Sequence, residues 1–448
     1  MINYPGLLES VLLPAYYGLR RRRYPEYRRL LEESQWQSAD WIQEFQWKGV
    51  CRLLDHAFET VPYYRQKYAA AGINRGDIKT REDFAALPPL TRTEINTFRT
   101  ELCSNQPGGR LLKHSTGGSS GVPTKFFITR DSYDWRCAST ARAYAWSGYR
   151  LGARALYLWG APVSHFPPLL DRTKLKMYRA LRRELIQVTF SQTPELWRNI
   201  LRRALRFRPK YIVGYVASIE QFAKFLLAEH STIPGVEGVI AAAEPVFETT
   251  RRLAADAYRA PLFNTYGCRE FMSIAGECDQ HDGLHLNSEN LFVETEFPAE
   301  QGPSELLVTD LHNYGMPFIR YRIGDVGVFA EGTCKCGRQL PRIRSIEGRS
   351  LELLRTRDGR VVPGEFFPHV LKDIGEVTEF QVQQPNLDEI VICLVLKHPL
   401  TGDHEALFRK QCLEIFGIGT QVTIKGVESI ARAPSGKRRA TVGIGANQ

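Results

Sequence analysis

No internal repeat, low-complexity tract or regularly spaced cysteine framework occurs in this chain, and each absence narrows its class. Nine cysteines, an odd number, argue against a disulfide scaffold and for a reducing compartment, so a cytoplasmic protein is expected. The opening segment "MINYPGLLESVLLPAYYGLRRRR" has its apolar run broken by Glu9 and its positive cluster, Arg20 to Arg23, behind it. That order is wrong for a secretory signal, and the run is too short to span a bilayer. It suits either a plain docking helix or peripheral contact with a membrane or a partner. Acidic residues are in deficit: 49 against 59 basic ones, for a formal net charge of +10. Such a balance fits an anionic ligand, an acidic partner or a membrane surface. The arginines are scattered among helices without aromatic stacking motifs or a recognition module, which excludes nucleic acid as the expected partner.

A chain of 448 residues exceeds the roughly 250 to 300 at which a single core stops growing, so at least two domains are expected. From Tyr24 to about Ala71 apolar residues recur at spacings of three and four, with Gly72 as a stop, which predicts a helical preamble over about 1–85. Between about Leu111 and Tyr321, short β-rich runs such as "ALYLWGA", "YIVGY" and "GVIAAAE" alternate with helical ones. This alternation predicts an α/β domain with much parallel sheet. Past Gly348 the pattern turns to hairpins, with turns expected at Asp358-Gly359 and Pro385-Asn386, then one helix and a strand. The expected fold is therefore α/β: a large, multi-sheet N-terminal domain over 1–349 with its preamble, and a small, mobile α+β domain over 350–448.

The stretch "HSTGGSSGVPTKFFIT", His114 to Thr129, concentrates glycine and hydroxyls before an apolar run. Glycines bring backbone N–H groups close to a ligand and hydroxyls add donors, a composition suited to phosphate. No Lys-Ser/Thr pair follows Gly121, so the common NTPase phosphate loop does not fit. The flanks "RLLKH" and "TKFFIT" predict a strand on each side, hence a glycine-rich hairpin.

Five motifs, "STGGSSGVP" at 115–123, "AAAEP" at 241–245, "YGCRE" at 266–270, "YRIGD" at 321–325 and "PSGKRR" at 434–439, resemble in order and spacing those of adenylate-forming acyl ligases. The preamble and the "GRSLELL" junction are most similar to the phenylacetate-CoA ligase-like group, including polysaccharide-gene-associated relatives. The resemblance implies ATP-dependent activation of a carboxylic acid as its adenylate, pyrophosphate release, and acyl transfer to a thiol, most simply coenzyme A. Acceptor alternatives are an acyl carrier protein, an amine or a hydroxyl, the last two in polysaccharide or secondary-metabolite synthesis. A distant alternative is a non-catalytic membrane- or nucleic-acid-binding protein. By resemblance, Ser115, Thr116, Gly117, Gly118, Ser119, Ser120 and Gly121 hold the β- and γ-phosphates. Ala243, Glu244 and Pro245 then meet adenosine, Tyr266 flanks adenine, Asp325 accepts from the ribose hydroxyls, and Arg349 lies near ribose and phosphate. Glu270 matches a magnesium-binding carboxylate, a hard ligand suited to that ion. Lys437 matches the mobile catalytic lysine. The chain departs from the family just after "GR", where Ser350 and Leu351 precede Glu352, so the pivot residue is left open. The oligomeric state is open too, a dimer being one option.

A second cluster, "ECDQHDGLH" with Cys278, His281 and His285 and "TCKCG" with Cys334 and Cys336, suits zinc, since thiolates and imidazole make tetrahedral sites. Cys278, His285, Cys334 and Cys336 are the expected ligands, with His281 in reserve. Four protein ligands leave no open position, so a structural role is expected. The acyl pocket is expected near Tyr144, Trp146, Trp159 and residues 164–166.

Overall fold

The computed structural model describes residues 3–116, 124–159, 169–189, 193–296, 303–349, 354–357, 361–362, 367, 376–431 and 441–444. They form two compact units, one of 1–294, 307–323 and 329–344, the other of 295–306, 324–328 and 345–448.

The mixed α/β architecture expected from the alternation is present. Five strands run parallel in the order Glu184–Val188, Ala155–Trp159, Tyr211–Tyr215, Gly238–Ala242 and Leu262–Cys268. Antiparallel Met272–Glu277, Leu284–Leu286 and Arg342–Arg349 follow, and three further strands complete a sheet of eleven. The parallel strands are nearly continuous in apolar residues because both faces are covered. Leu156, Ile212 and Val239 pack with Trp197, Phe222 and Ala254 from the helices Pro194–Phe207, Val216–Ala228 and Glu248–Tyr258. Their neighbours Ala155, Val213 and Ile240 pack the opposite way, with Tyr27, Leu31 and Trp135. Because these strands run parallel, Trp159, Tyr215, Ala242 and Cys268 all end at one edge, where open α/β sheets receive ligands.

The preamble forms helices Tyr24–Ser34, Ala39–Thr60 and Pro62–Ala70; Ser38 caps the second, and Gly72, at φ +72°, turns the chain just beyond the third. It is tied to the sheet domain by a buried ion pair. Arg142 reaches Glu289 through two 2.7 Å bonds and donates to Asn287 and to the Leu31 carbonyl, while the Ser34 hydroxyl also donates to Glu289. The N-terminal segment docks too, burying Leu8, Leu13 and Tyr17. No helix among the described residues is long and apolar enough to cross a membrane.

In the second unit, Leu354–Arg355 pairs with Val361–Val362, and a four-stranded sheet runs Gln421–Gly426, Glu389–Leu396, Val377–Asn386, Thr441–Val442. Helix Gly402–Phe416 packs on it through Phe408, Cys412 and Phe416. The turn expected at Asp358-Gly359 lies outside the described residues. The turn expected at Pro385-Asn386 falls instead at Leu387-Asp388, since Asn386 still pairs with Glu389. Pro385, which has no N–H to give the ladder, sits in the irregularity between Gln383 and Asn386, and the Asn386 side chain accepts from Asp388 N to form the turn.

Candidate nucleotide site and metal centre

Strands Leu111–Ser115 and Lys125–Thr129 pair antiparallel in a separate two-stranded sheet, as the flanks of the glycine run predict. Ser115 ends the first strand, exposed. Thr116 closes the neck: its N–H donates to the Thr124 carbonyl at 3.0 Å, and its hydroxyl accepts from Thr124 N at 2.9 Å. That hydroxyl keeps its own proton to give. Gly117, Gly118, Ser119, Ser120 and Gly121 lie outside the described residues.

A second hairpin, Leu262–Cys268 with Met272–Glu277, carries the "YGCRE" residues. Tyr266 and Gly267 flank a bulge, and a Cβ at Gly267 would lie 1.9 Å from the Met272 carbonyl oxygen. Only glycine fits that approach. Glu270 sits in the tight turn, 4% exposed, with the Tyr321 hydroxyl 3.3 Å and the Arg92 guanidinium 3.8 Å from its Oε1. Its neighbour Arg269 donates to the Ser115 carbonyl at 3.4 Å. Two motifs separated by about 150 residues thus meet through Arg269, next to a buried carboxylate that faces the Tyr321 hydroxyl and the Arg92 guanidinium. Such a set can hold a polyanion with a divalent ion.

Arg92 and Arg269 were not among the expected site residues. Arg92 opens helix Arg92–Thr97, capped by Thr91 and Glu94, and the bridge from Leu90 to Tyr321 holds it near Glu270. The capping box "TRTE" was the available signal for that helix start.

Ala243 directly follows strand Gly238–Ala242 with φ +73°, a left-handed conformation that an alanine adopts only under constraint. Glu244 turns its carboxylate away to accept from Ala217 N at 2.7 Å in the first turn of helix Val216–Ala228. Asp325 lies on strand Tyr321–Phe329 after Gly324, at φ +81°, and Arg349 ends strand Arg342–Arg349. Lys437 lies outside the described residues.

Of the expected acyl-pocket residues, Trp159 stands at the C-terminal end of its parallel strand, its ring 4.7 Å from that of Tyr215. Trp146 does not. It is 5% exposed, packed with Cys278 and Cys334, and donates to Gln35. Tyr144 packs against Tyr149 in the core, and residues 164–166 lie outside the described residues.

The four expected metal ligands do converge: one ligand atom each from Cys278, His285, Cys334 and Cys336 lie within 4.8 Å of one another. Cys278 follows strand Met272–Glu277, and the register pairs His285 with Gly276, two residues before Cys278. Gly337, at φ +89°, folds the other arm back so that its N–H meets the Cys334 carbonyl. Cys278 and Cys334 sulfurs are 3.7 Å apart, and Cys336 Sγ is 3.4 Å from His285 Nε2. Tetrahedral zinc at ordinary bond lengths demands edges of about 3.8 Å between sulfurs and about 3.6 Å between sulfur and nitrogen. The cluster fits. Burial, with Arg338 nearby, pushes His285 down to about 4, so the imidazole is neutral and able to ligate. Burial is the largest single influence on Cys336 and raises it, but hydrogen bonds from Arg338 and Cys334 and the Arg338 charge together outweigh it and hold the thiol below its usual range. His281, the reserve ligand, is turned elsewhere, 3.3 Å from Glu277 and against the Phe263 ring.

Comparison with known proteins agrees with this fold. A family model described as the CapK C-terminal domain matches residues 354–443. A phenylacetate-coenzyme A ligase of Pseudomonas putida is 25% identical over 91% of this chain and 95% of its own length. The Protein CapK of Staphylococcus aureus is 23% identical over 79% of this chain and 78% of its own. A crystal structure of 2-hydroxyisobutyryl-CoA ligase in the postadenylation state superposes with a TM-score of 0.70 at 19% identity, covering 91% of this chain and 90% of that one.

Proposed function

We propose that this chain, a member of the phenylacetate-CoA ligase-like group of adenylate-forming acyl ligases, activates a carboxylic acid with ATP as an acyl-adenylate and passes the acyl group to coenzyme A. The observation that carries the reading is the junction of the Ser115 hairpin with the Glu270 turn through Arg269. Charge accumulates on the phosphoryl oxygens as the carboxylate attacks the α-phosphorus and pyrophosphate departs, so fixed donors and cations on those oxygens lower the barrier. Ser115, Thr116 and the 117–121 backbone grip the β- and γ-phosphates, with Arg92 and Arg269 as added cations. The strained Ala243 turn presents its backbone to adenosine, Tyr266 borders adenine, and Asp325 and Arg349 meet the ribose side. Glu270 holds magnesium, which neutralises the phosphates when bound. Residues 1–349 form the adenylating domain and 350–448 a lid bringing Lys437 to the oxygen between acyl carbon and phosphorus.

Cys278, His285, Cys334 and Cys336 hold a structural zinc ion. Arg338 and Trp146 both donate to Gln35, so the metal arm is fastened to the preamble. A second reading keeps the adenylation and passes the acyl group to an amine or hydroxyl in place of coenzyme A. One activated acid offered coenzyme A, an amine and a sugar separates the two: thioester supports the first reading, amide or ester the second.

A further inference from the structure

We propose that the outward face of the N-terminal helix docks on an anionic lipid bilayer. Segments Tyr4–Leu7, Leu8–Leu12 and Leu13–Leu19 follow without a break, since the joining residues Leu8 and Leu13 are themselves helical. The middle turn is wide: Leu13 N donates to the Leu8 carbonyl five residues back. That widening sets Leu8 and Leu13 on the same side, where with Tyr17 they enter the core.

The opposite row, four residues apart, is Leu7, Val11, Ala15 and Leu19, all exposed. Val11 is 53% and Leu19 88% exposed. The helix's one acid is half-buried and already paired: Glu9 accepts from Arg150 at 2.7 Å and from Leu151 N at 3.1 Å. Two cations close the row. Arg22 is engaged by Asp134 and Arg23 by Glu26 and Asp131, whereas Arg20 and Arg21 are exposed, Arg20 with its guanidinium over the Tyr16 ring. Beside them runs helix Leu169–Leu181, whose Tyr178 hydroxyl lies 3.5 Å from that of Tyr17. Its Lys176 is exposed and Met177 is 69% exposed.

A narrow apolar row ending in cations, on a chain of net charge +10, is complementary to a surface of acyl chains under negative headgroups. The row is short, so attachment is reversible and depends on anionic lipid. It would hold the ligase at a membrane without any spanning segment.

The test is co-sedimentation of the full chain with vesicles of phosphatidylcholine alone and of phosphatidylcholine with phosphatidylglycerol. The protein is expected to bind the anionic vesicles only and to be released by added salt. At about five-fold per cation, Arg20→Gln with Arg21→Gln lowers partitioning about 25-fold. Leu19→Ser also weakens it, while Lys224→Gln, an exposed position on helix Val216–Ala228, does not, and adenylation is unchanged in every variant. No binding to either vesicle, equal binding to both, or unchanged binding by the variants would overturn the proposal. Concentration-dependent dimerisation that Leu19→Ser abolishes, without vesicle binding, would overturn it in favour of a second copy of the chain.

Discussion

Gly267→Ala offers a sharp perturbation of the candidate active site, because the structure fixes its size. The added methyl carbon would sit 1.9 Å from the Met272 carbonyl oxygen, and carbons at such positions keep at least 3.0 Å from their neighbours. The two strands must therefore part by about 1.1 Å, the difference of those distances, at the hairpin whose turn carries Glu270. Misplacing a catalytic group by about 1 Å costs on the order of 100-fold in rate. Carboxylate-dependent pyrophosphate release is expected to fall by that order, with the Cys/His cluster still binding metal and the thermal transition still cooperative. Gly76→Ala, with nothing within 4 Å of the new carbon, is the control and is expected to act as wild type. Wild-type activity in Gly267→Ala would refute the placement of Glu270 in the site.

Cys334→Ser removes one of four converging ligands and is expected to drop the zinc of protein purified without chelators far below one ion per chain, with a lower melting temperature. Lys437→Ala is expected to lose adenylation yet still consume a supplied acyl-adenylate; unchanged pyrophosphate release in that variant refutes the lysine's role. Glu94 has a distinct pH signature. Burial alone would raise its pKa, but hydrogen bonds from Lys67, Tyr63 and Thr91 outweigh it and bring it from 4.5 down to about 2. A depressed carboxylate stabilises the fold fully above its unfolded value, and that contribution is lost as pH falls from about 4.5 toward about 2. Acid unfolding of Glu94→Gln, followed by circular dichroism, is expected to be flatter through that window.

Local chemistry explains which features were legible in the sequence. Helices such as Glu248–Tyr258 carry their own periodicity, and the parallel strands announce themselves as apolar runs between them. The hairpin around the glycine run was legible from its flanks. The metal ligands were legible because Cys-x-Cys-Gly is a local turn, although only the register of two strands brings His285 to it and leaves His281 out. What escaped depends on contacts between distant segments. Arg92 and Arg269 reach the site through a bridge at Leu90 and a bond to Ser115, neither written in nearby sequence. Trp146, expected at the acyl pocket, is drawn to the cysteine cluster by Gln35, more than 100 residues earlier.

In the proposed reaction the Ser115 hairpin and Glu270 handle ATP on behalf of a carboxylic acid. The direct measurement is pyrophosphate released from ATP and magnesium across a library of carboxylic acids, with wild type and Glu270→Gln side by side. Release that depends on one class of acid and falls at least 100-fold in Glu270→Gln is the predicted result. Release indifferent to any acid, or equal in the two proteins, would contradict it.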